Sequence, residues 1–425
     1  MDIFLFIVGI LFLFFRRYEY VIAIIILLLT TYLQLQISEA SNFLFPHNVS
    51  DIGLLLYLFF FLTIAFRYGI TAKHPLVKYV NIFYLFLLLS GLYDILSGVT
   101  VGDVIRYLRN WFCLTIIYIV PFIKPEWTVK SLKIIYNITL LLCLIILLQT
   151  FTSLEIIHLR ELDGRGMKAP SYSIYCASLC LINVLNYPLR KRIIDFIIFI
   201  LPMVLNMKMT YVLSVFFIYF IYILFTSGWS VSRKVIILLF FLIVSSGVIL
   251  SNDKFYDRFI SMTQQSKVLN GGTESGTFSF RLLLAGERLQ YICNSPETMI
   301  RGIGFVSENN FHKDIFSIGL WDEARGRYFQ LDTGDIAWAV FFIRLGLGGI
   351  LIYLILYFNV IRYFVKYHNY RYNKYSAFFI SLMIVFLFFT SFGNALITMD
   401  DFFIYPLLFT NFYRTEKYED NSLYL

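Results

Sequence analysis

The segment VKSLKIIYNITLLLCLIILLQTFTS, residues 129–153, contains an apolar run long enough to cross a lipid bilayer as one helix. A membrane-spanning helix needs roughly 17 to 25 predominantly apolar residues, and similar runs follow one another along the chain with short polar breaks between them. Such unbroken runs do not fit the strands of a β-barrel, in which polar and apolar residues alternate. The segment therefore predicts an all-α, polytopic membrane protein.

The composition of the whole chain supports this prediction. Of the 425 residues, 59% are hydrophobic and 15% are charged, and the mean hydropathy is +0.74. The net charge of +8 lies largely in short loops between apolar runs, where lysine and arginine set the orientation of the helices, so we expect no nucleic-acid partner. The first apolar run lacks the features of a cleavable signal peptide, and we expect it to be a membrane helix.

We predict about 13 helices in a single integral membrane domain, residues 1–425. The predicted spans are 2–15, 18–37, 52–69, 78–97, 105–122, 129–153, 171–187, 192–206, 209–227, 234–250, 335–360, 375–396 and 398–413. Connections with several basic residues alternate with connections that contain none, such as 38–51 and 397–401. The positive-inside rule then places the basic connections in the cytoplasm and the others, with the N-terminus, outside.

Three outward segments depart from this rule because they carry positive charge. They are residues 154–170, with Arg165 and Lys168, the short break at Lys208, and the long segment 251–334. Positive charge on the outer side opposes the usual bias, which indicates a functional role for it. The segments 154–170 and 251–334 are therefore the two candidate functional loops.

The long loop contains the stretch ERLQYICNSPETMIRGIGF, residues 287–305, within which a predicted helix ends. That helix runs from about residue 280 to 293, and Arg281 and Arg288 lie two turns apart on one of its faces. Arg301, Gly302 and Gly304 follow it. Aligned guanidinium groups suit an anion with several oxygens, such as a pyrophosphate. The alternative, an amphipathic helix whose arginines reach phospholipid headgroups, stays open on spacing alone.

Several other signals point to less specific functions. Asp103, Arg106 and Arg109 recur at three-residue spacing, which fits either a charged cavity wall or an interfacial charge ladder. The Gly-x-Gly of the long loop follows no predicted strand and does not support a nucleotide fold. No His/Cys ligand spacing and no outward Asp-x-Asp occurs, so we expect neither metal nor cofactor.

The order of these motifs resembles a known family. Arg288, then Gly304, then Asp335 and the sequence GLGG at 346–349 are similar to the second large periplasmic loop of the O-antigen polymerases (Wzy type) and the related O-antigen ligases. Residues 164–170 resemble the first functional loop of that family. LNMKMTYVL, residues 205–213, lies where the family commonly has an arginine, which is Lys208 here.

The resemblance implies a GT-C-like membrane glycosyltransferase of the bacterial inner membrane with its active site facing the periplasm. Its reaction would move a growing glycan from undecaprenyl pyrophosphate onto a new lipid-linked repeat unit without a metal ion. Lipid-linked oligosaccharides, the bilayer and a polysaccharide chain-length regulator are the implied partners. Because Asp335 and Ile336 stand where the ligases carry His-Asn, the resemblance favours a polymerase over a ligase.

The resemblance also implies roles for individual residues. Arg288 would stabilise the leaving pyrophosphate, and Asp335 would act as the general base, with His312 and Asp332 as alternatives. The residues expected to bind substrate are Arg165, Lys168, Lys208, Arg281, Arg301 and Asp332. Two other classes of protein remain alternatives: a transporter of lipid-linked sugars, and a non-catalytic scaffold of an envelope assembly.

Overall fold

The structure is a computed structural model that describes residues 2–30, 49–152, 170, 172–205, 209–226, 232–233, 236, 278–319, 321–322, 326–331, 336–367, 373–390 and 404–412. Within these ranges the chain is almost entirely helical, which confirms the predicted all-α class. Four of the described helices are long and apolar enough to cross a membrane: Ser50–Tyr68, Val77–Leu96, Pro125–Phe151 and Ala337–Tyr367. The protein is therefore a helical membrane protein, as the composition predicts.

Most of the described helices overlap the predicted spans. The helices are α1 (Asp2–Phe14), α2 (Tyr18–Leu29), α3 (Val49–Tyr68), α4 (Val77–Leu96), α5 (Val101–Leu108), α6 (Pro125–Phe151), α7 (Ser173–Ile182), α8 (Leu189–Leu205), α9 (Met209–Thr226), α10 (Phe278–Ile292), α11 (Pro296–Arg301), α12 (Ala337–Tyr367), α13 (Lys374–Phe389) and α14 (Ile404–Phe409). A short antiparallel ribbon pairs β1 (Trp321–Asp322) with β2 (Arg327–Tyr328). Nearly all of the predicted helix 234–250 lies outside the described residues.

The predicted helix 105–122 is the clearest departure. The chain instead forms the short helix α5, which Thr100 caps by accepting from the backbone N–H of Asp103. Two 3-10 segments follow it, Arg109–Tyr118 and Val120–Phe122. This stretch is rich in β-branched residues and contains Pro121, and both features weaken an α-helix. A 3-10 helix rises about 2.0 Å per residue, so fewer residues cover the same thickness.

The core of the bundle contains a helix, α2, that is apolar on nearly every side. Every residue of α2 except Tyr20 is buried, enclosed by α1, α3 and α6. A helix that is hydrophobic all round belongs inside a bundle, where helix packing replaces lipid contact. The apolar residues of α2 therefore pack against protein, whereas much of α4 remains exposed on one side.

The long helix α12 is interrupted at Gly346. Its backbone there has φ 61° and ψ −176°, which is not helical. A side chain at this position would meet the backbone of Arg301 and Gly302, because a Cβ on Gly346 would lie 2.5 Å from the N of Gly302. Glycine is thus required both by the dihedral angle and by the close approach of the loop.

Described residues from several connections predicted to face outward meet at one end of the bundle, called the loop end below. There Arg109 pairs with Asp51 at 2.5 Å. The backbone N–H of Ser307 donates to Asp103 at 3.1 Å. Connections predicted to be cytoplasmic meet elsewhere, for example where Lys374 donates to Asn186 at 2.9 Å, between the α7–α8 connection and the start of α13. These three contacts fit the grouping of connections that the alternation of charge predicts.

Candidate functional site

Arg288 on α10 is 0% exposed. Its guanidinium donates through Nη1 to Glu287 and to the carbonyl of Ile318, and through Nη2 to the carbonyl of Phe329 at 3.4 Å. The guanidinium carbon lies 4.3 Å from the centre of the Phe316 ring, within cation–π range. Arg288 therefore holds three parts of the loop together.

This position corrects one expectation about the two arginines of α10. Arg281 is partly exposed, but Arg288 is enclosed, so the two guanidinium groups do not project together toward an external anion. Burial lowers the pKa of Arg288 to about 10, while the carboxylates of Glu287 and Glu308 act in the opposite direction. Arg288 therefore remains charged at neutral pH and acts as an internal cation of the loop.

Two buried side chains, Glu308 and Gln330, hold the described part of the loop that follows α11, residues 302–319, 321–322 and 326–331. Glu308 accepts from the backbone N–H groups of Gln330 at 2.9 Å and Leu331 at 2.6 Å. The amide oxygen of Gln330 accepts from the backbone N–H groups of Ile315 and Phe316, both at 2.8 Å. Backbone groups removed from water need partners, and in this loop side chains supply them in place of a helix or sheet. The described residues between and around β1 and β2 are consequently held in place although few of them belong to regular structure.

The Gly-x-Gly of the loop allows it to touch two membrane helices. Gly302 has φ 73°, and a Cβ there would lie 2.2 Å from the carbonyl oxygen of Ile343 on α12. Gly304 has φ 100°, and a Cβ there would lie 2.4 Å from Oδ1 of Asp94 on α4. Both distances are far shorter than any real contact of a Cβ atom. These glycines are therefore explained by helix contact rather than by phosphate binding.

Arg301 also lies where the loop contacts α4, a contact called the junction below. Its Nη1 donates to Asp94 and its Nη2 to Glu297 at 2.6 Å. The guanidinium carbon lies 3.9 Å from the centre of the Tyr93 ring. The expected substrate-binding arginine Arg301 is therefore committed to an ion-pair network that fastens α11 to α4.

A cavity of about 300 Å³ opens beside this junction, at the loop end of the bundle. Its volume lies at the lower limit of the roughly 300–1,000 Å³ that small-molecule sites occupy. The charged side chains that line it are Asp103, Arg106, Arg109, Glu308 and Arg344. It thus contains three guanidinium groups and two carboxylates.

The three cavity arginines have different environments. Arg344 is 4% exposed and donates through Nη1 to the carbonyl of Gly304 at 3.2 Å, so it forms part of the wall. Arg109 is paired with Asp51. Arg106 is exposed, and among the described residues it has neither an ion-pair nor a hydrogen-bond partner. Arg106 is therefore the cation of this cavity best placed to bind an anion.

Asp103 provides a carboxylate on the same wall. Its Oδ2 accepts from the backbone N–H of Ser307 at 3.1 Å and from Nδ2 of Asn310 at 2.7 Å. Partial burial acts to raise the pKa of Asp103, but these hydrogen bonds outweigh it and leave the pKa below its ordinary value. The side chain is therefore an oriented anion at neutral pH.

The four expected site residues that the structure describes, Arg281, Arg288, Arg301 and His312, do not line this cavity. His312 is exposed and does not line the cavity. Five of the expected residues lie outside the described residues: Arg165, Lys168, Lys208, Asp332 and Asp335. Among the described arginines of the long loop, Arg288 and Arg301 form hydrogen bonds and ion pairs with other residues of the protein. The charged cavity instead uses Arg106 on α5 and Arg109 at the start of the 3-10 segment, whose three-residue spacing already fitted a cavity wall.

Two buried charges at this junction were not singled out from the sequence. Asp94 and Arg344 both lie inside apolar runs that cross the membrane, and a charge in such a run marks a functional or structural site. That signal was present in the sequence. Glu308 and Gln330 had no comparable signal, because their partners are backbone groups of the same loop.

No family model matches this chain, and no curated protein matches it either. The likeness to the O-antigen polymerases therefore rests on the motifs of the sequence. Within the described residues, no group of three or more His, Cys, Asp or Glu side chains is placed to hold a metal ion. The charged lining of the cavity consists of three guanidinium groups and two carboxylates.

Proposed function

We propose that the protein is a membrane glycosyltransferase that polymerises a surface polysaccharide, such as O-antigen, from lipid-linked repeat units. The observation that carries this proposal is the cavity lined by Arg106 and Arg344, close to the junction of α4 and α12. Transfer of a glycan from undecaprenyl pyrophosphate leaves a diphosphate on which negative charge builds up. Guanidinium groups placed at that charge lower the barrier without a metal ion.

The position of the cavity along α12 supports a substrate that is anchored in the membrane. Arg344 lies two residues before the break at Gly346, and exposed apolar residues begin at Leu351. The cavity is therefore close to the level at which lipid headgroups lie. A diphosphate on an isoprenoid lipid would reach this level while its tail stays in the bilayer.

The general base has two candidates. Asp335 is the base that the resemblance implies, and Asp103 is the carboxylate that lines the cavity. A base needs to lie within hydrogen-bond reach of the attacking sugar hydroxyl. Comparison of Asp103→Asn with Asp335→Asn separates them, because only the variant that removes the base changes the pH profile of transfer.

The polymerase is favoured over related functions by the sequence of the long loop. Asp335 and Ile336 stand where the ligases carry His-Asn. A ligase would instead transfer the whole glycan to lipid A core. A transporter of lipid-linked sugars is expected to show repeated halves and charges near the membrane midplane. The proposed setting is the inner membrane, with the loop end facing the periplasm and a chain-length regulator as partner.

The test is a transfer assay with the purified protein in lipid nanodiscs and an undecaprenyl-pyrophosphate-linked repeat unit, with a chelator present. We expect a ladder of products for the wild type and for Arg190→Ala, a matched exposed arginine at the start of α8. Loss of one charge-stabilising donor costs about 10²–10³-fold in rate, so Arg106→Ala should lose most of its activity.

Each other outcome contradicts the proposal in a specific way. A single transfer to lipid A core identifies a ligase. Movement of the lipid-linked sugar across the bilayer without transfer identifies a transporter. A scaffold is indicated if polysaccharide assembly in cells is unchanged by both Arg106→Ala and Asp335→Asn.

A further inference from the structure

The short helix α11 has two apolar side chains that remain exposed among the described residues. Met299 is exposed, and Ile300 is 59% exposed. The helix nevertheless lies against both adjacent membrane helices. The carbonyl of Ile300 would lie 2.7 Å from a Cβ placed on Gly348 of α12, and Arg301 covers the ring of Tyr93 on α4.

The membrane helices next to α11 expose apolar side chains at the same level. Leu96, at the end of α4, is 79% exposed, and Leu351, three residues after Gly348 on α12, is 61% exposed. In a membrane-spanning helix such side chains face lipid. The exposed residues of α11 therefore continue the lipid-facing surface of α4 and α12 onto the loop.

Helix α5 extends this surface, because it also packs against α4. Val101 and Ile105 lie one helical turn apart and are both exposed, while Val104 between them is buried and would contact a Cβ on Gly91 of α4. Because α5 begins only a few residues after α4 ends, its exposed apolar face also lies at the end of the membrane span. Two short segments that are distant in sequence thus present apolar residues at one level.

We propose that α5 and α11 are inserted in the interfacial layer of the bilayer at the loop end, with Met299, Ile300, Val101 and Ile105 contacting the acyl-chain boundary. Interfacial helices place apolar side chains about 5–10 Å into this boundary and keep charged groups at headgroup level. Tyr93 lies where interfacial aromatic residues are enriched. The loop is then anchored to the membrane surface, whatever reaction the cavity carries out.

Bilayer lipid is the occupant that the geometry favours, because the patch is continuous with surfaces that contact lipid in any membrane helix. The charges near it fit the same arrangement. Arg301 and Glu297 pair with each other beside Ile300, and Arg106 follows Ile105 directly. Charged groups that border an apolar strip suit the headgroup layer above it.

The test is spin labelling of the full chain in lipid nanodiscs. The exposed Cys293 is replaced by serine, since the other four cysteines are buried. Single labels are then introduced by Ile300→Cys, Met299→Cys and Ile105→Cys. Leu351→Cys gives the lipid-facing reference, and Lys313→Cys, on an exposed part of the loop, gives the aqueous reference. The measurement is the accessibility of each label to oxygen, which dissolves in lipid, relative to a water-soluble nickel chelate.

We expect the oxygen-to-nickel ratio at 299, 300 and 105 to shift from the value at 313 toward the value at 351. Ratios equal to that at 313 would overturn the proposal, because they would place the patch in water. Low accessibility to both reagents would also overturn it, since that result indicates a partner protein or a second copy on the patch. Two adjacent positions on α11 keep the test decisive when one labelled variant fails to fold.

Discussion

The backbone N–H of Phe305 donates a 2.7 Å hydrogen bond to Oδ2 of Asp94, a side chain that is 1% exposed near the end of α4. The other oxygen of the same carboxylate accepts from Arg301. One buried acid on a membrane helix therefore binds both the cation and the backbone of the loop. This contact positions the loop wall of the cavity against the bundle.

Asp94→Asn should loosen the loop while the bundle stays folded. The asparagine keeps the size of the side chain but removes the charge that pairs with Arg301. Hydrogen bonds to charged groups contribute about 1.5–3 kcal/mol each, so we expect a lower melting temperature and faster proteolysis within the loop. Glu297→Gln, which removes the exposed partner of Arg301, should have a smaller effect. Equal effects of the two substitutions would contradict the role of Asp94 as the buried anchor.

Gly304→Ala should disrupt the same junction by steric overlap. A Cβ at this position would lie 2.4 Å from Asp94, and the backbone φ of 100° is unfavourable for alanine. We expect the variant to lose protection of the loop in hydrogen exchange. Gly286→Ala is the matched control, because nothing lies within 4 Å of its Cβ position and α10 should gain about 0.5–1 kcal/mol. Unchanged exchange in Gly304→Ala would show that the loop does not dock as described.

Arg288→Ala should reduce activity through the loop rather than through loss of a ligand contact. The substitution leaves the carbonyl groups of Ile318 and Phe329 without their donor, and each unsatisfied buried group costs about 1–3 kcal/mol. We expect loop protection in hydrogen exchange and transfer rate to fall together. Arg288→Lys should recover part of both, since the ammonium retains the charge but not the guanidinium fork. A variant with full loop protection and no transfer would instead indicate direct contact with substrate.

Low pH should weaken the contact between α5 and the loop, because Asp103 becomes protonated there. Its pKa is below the ordinary value in the folded protein, so the carboxylate stabilises the folded state above its unfolded pKa of about 3.9. That contribution is lost as the pH falls through the lower folded pKa. We expect the difference in melting temperature between the wild type and Asp103→Asn to shrink below about pH 4. A difference that is constant with pH would exclude Asp103 as the titrating group.

The sequence predicted the helices well because their signals are local. Apolar run length and the period of a helix are read within one segment, and the described bounds of α3, α4, α6 and α12 lie close to the predicted ones. The helix of the loop was likewise predicted near 280–293 and is found at Phe278–Ile292. The segment after α5 was predicted as a helix and is a 3-10 segment, since its hydropathy does not reveal the effects of β-branching and Pro121.

The roles of the arginines could not be predicted in this way. Spacing on α10 singled out Arg288, but whether it faces a ligand or the loop interior depends on Ile318 and Phe329, which are 30 and 41 residues away. The exposed guanidinium of Arg106 had the weaker sequence signal. Its place in a cavity becomes visible only when α5 lies beside the loop and Arg344.

By itself, the sequence determined that this is a helical membrane protein and where most of its described helices lie, and it predicts which connections share a side. Those properties follow from hydropathy, helical periodicity and the distribution of basic residues. Only the tertiary structure decided which charges are enclosed and which line the cavity. The physical reason is that burial depends on contacts between distant residues, such as Asp94 and Phe305, which are 211 positions apart and meet because Gly304 allows the loop to touch α4.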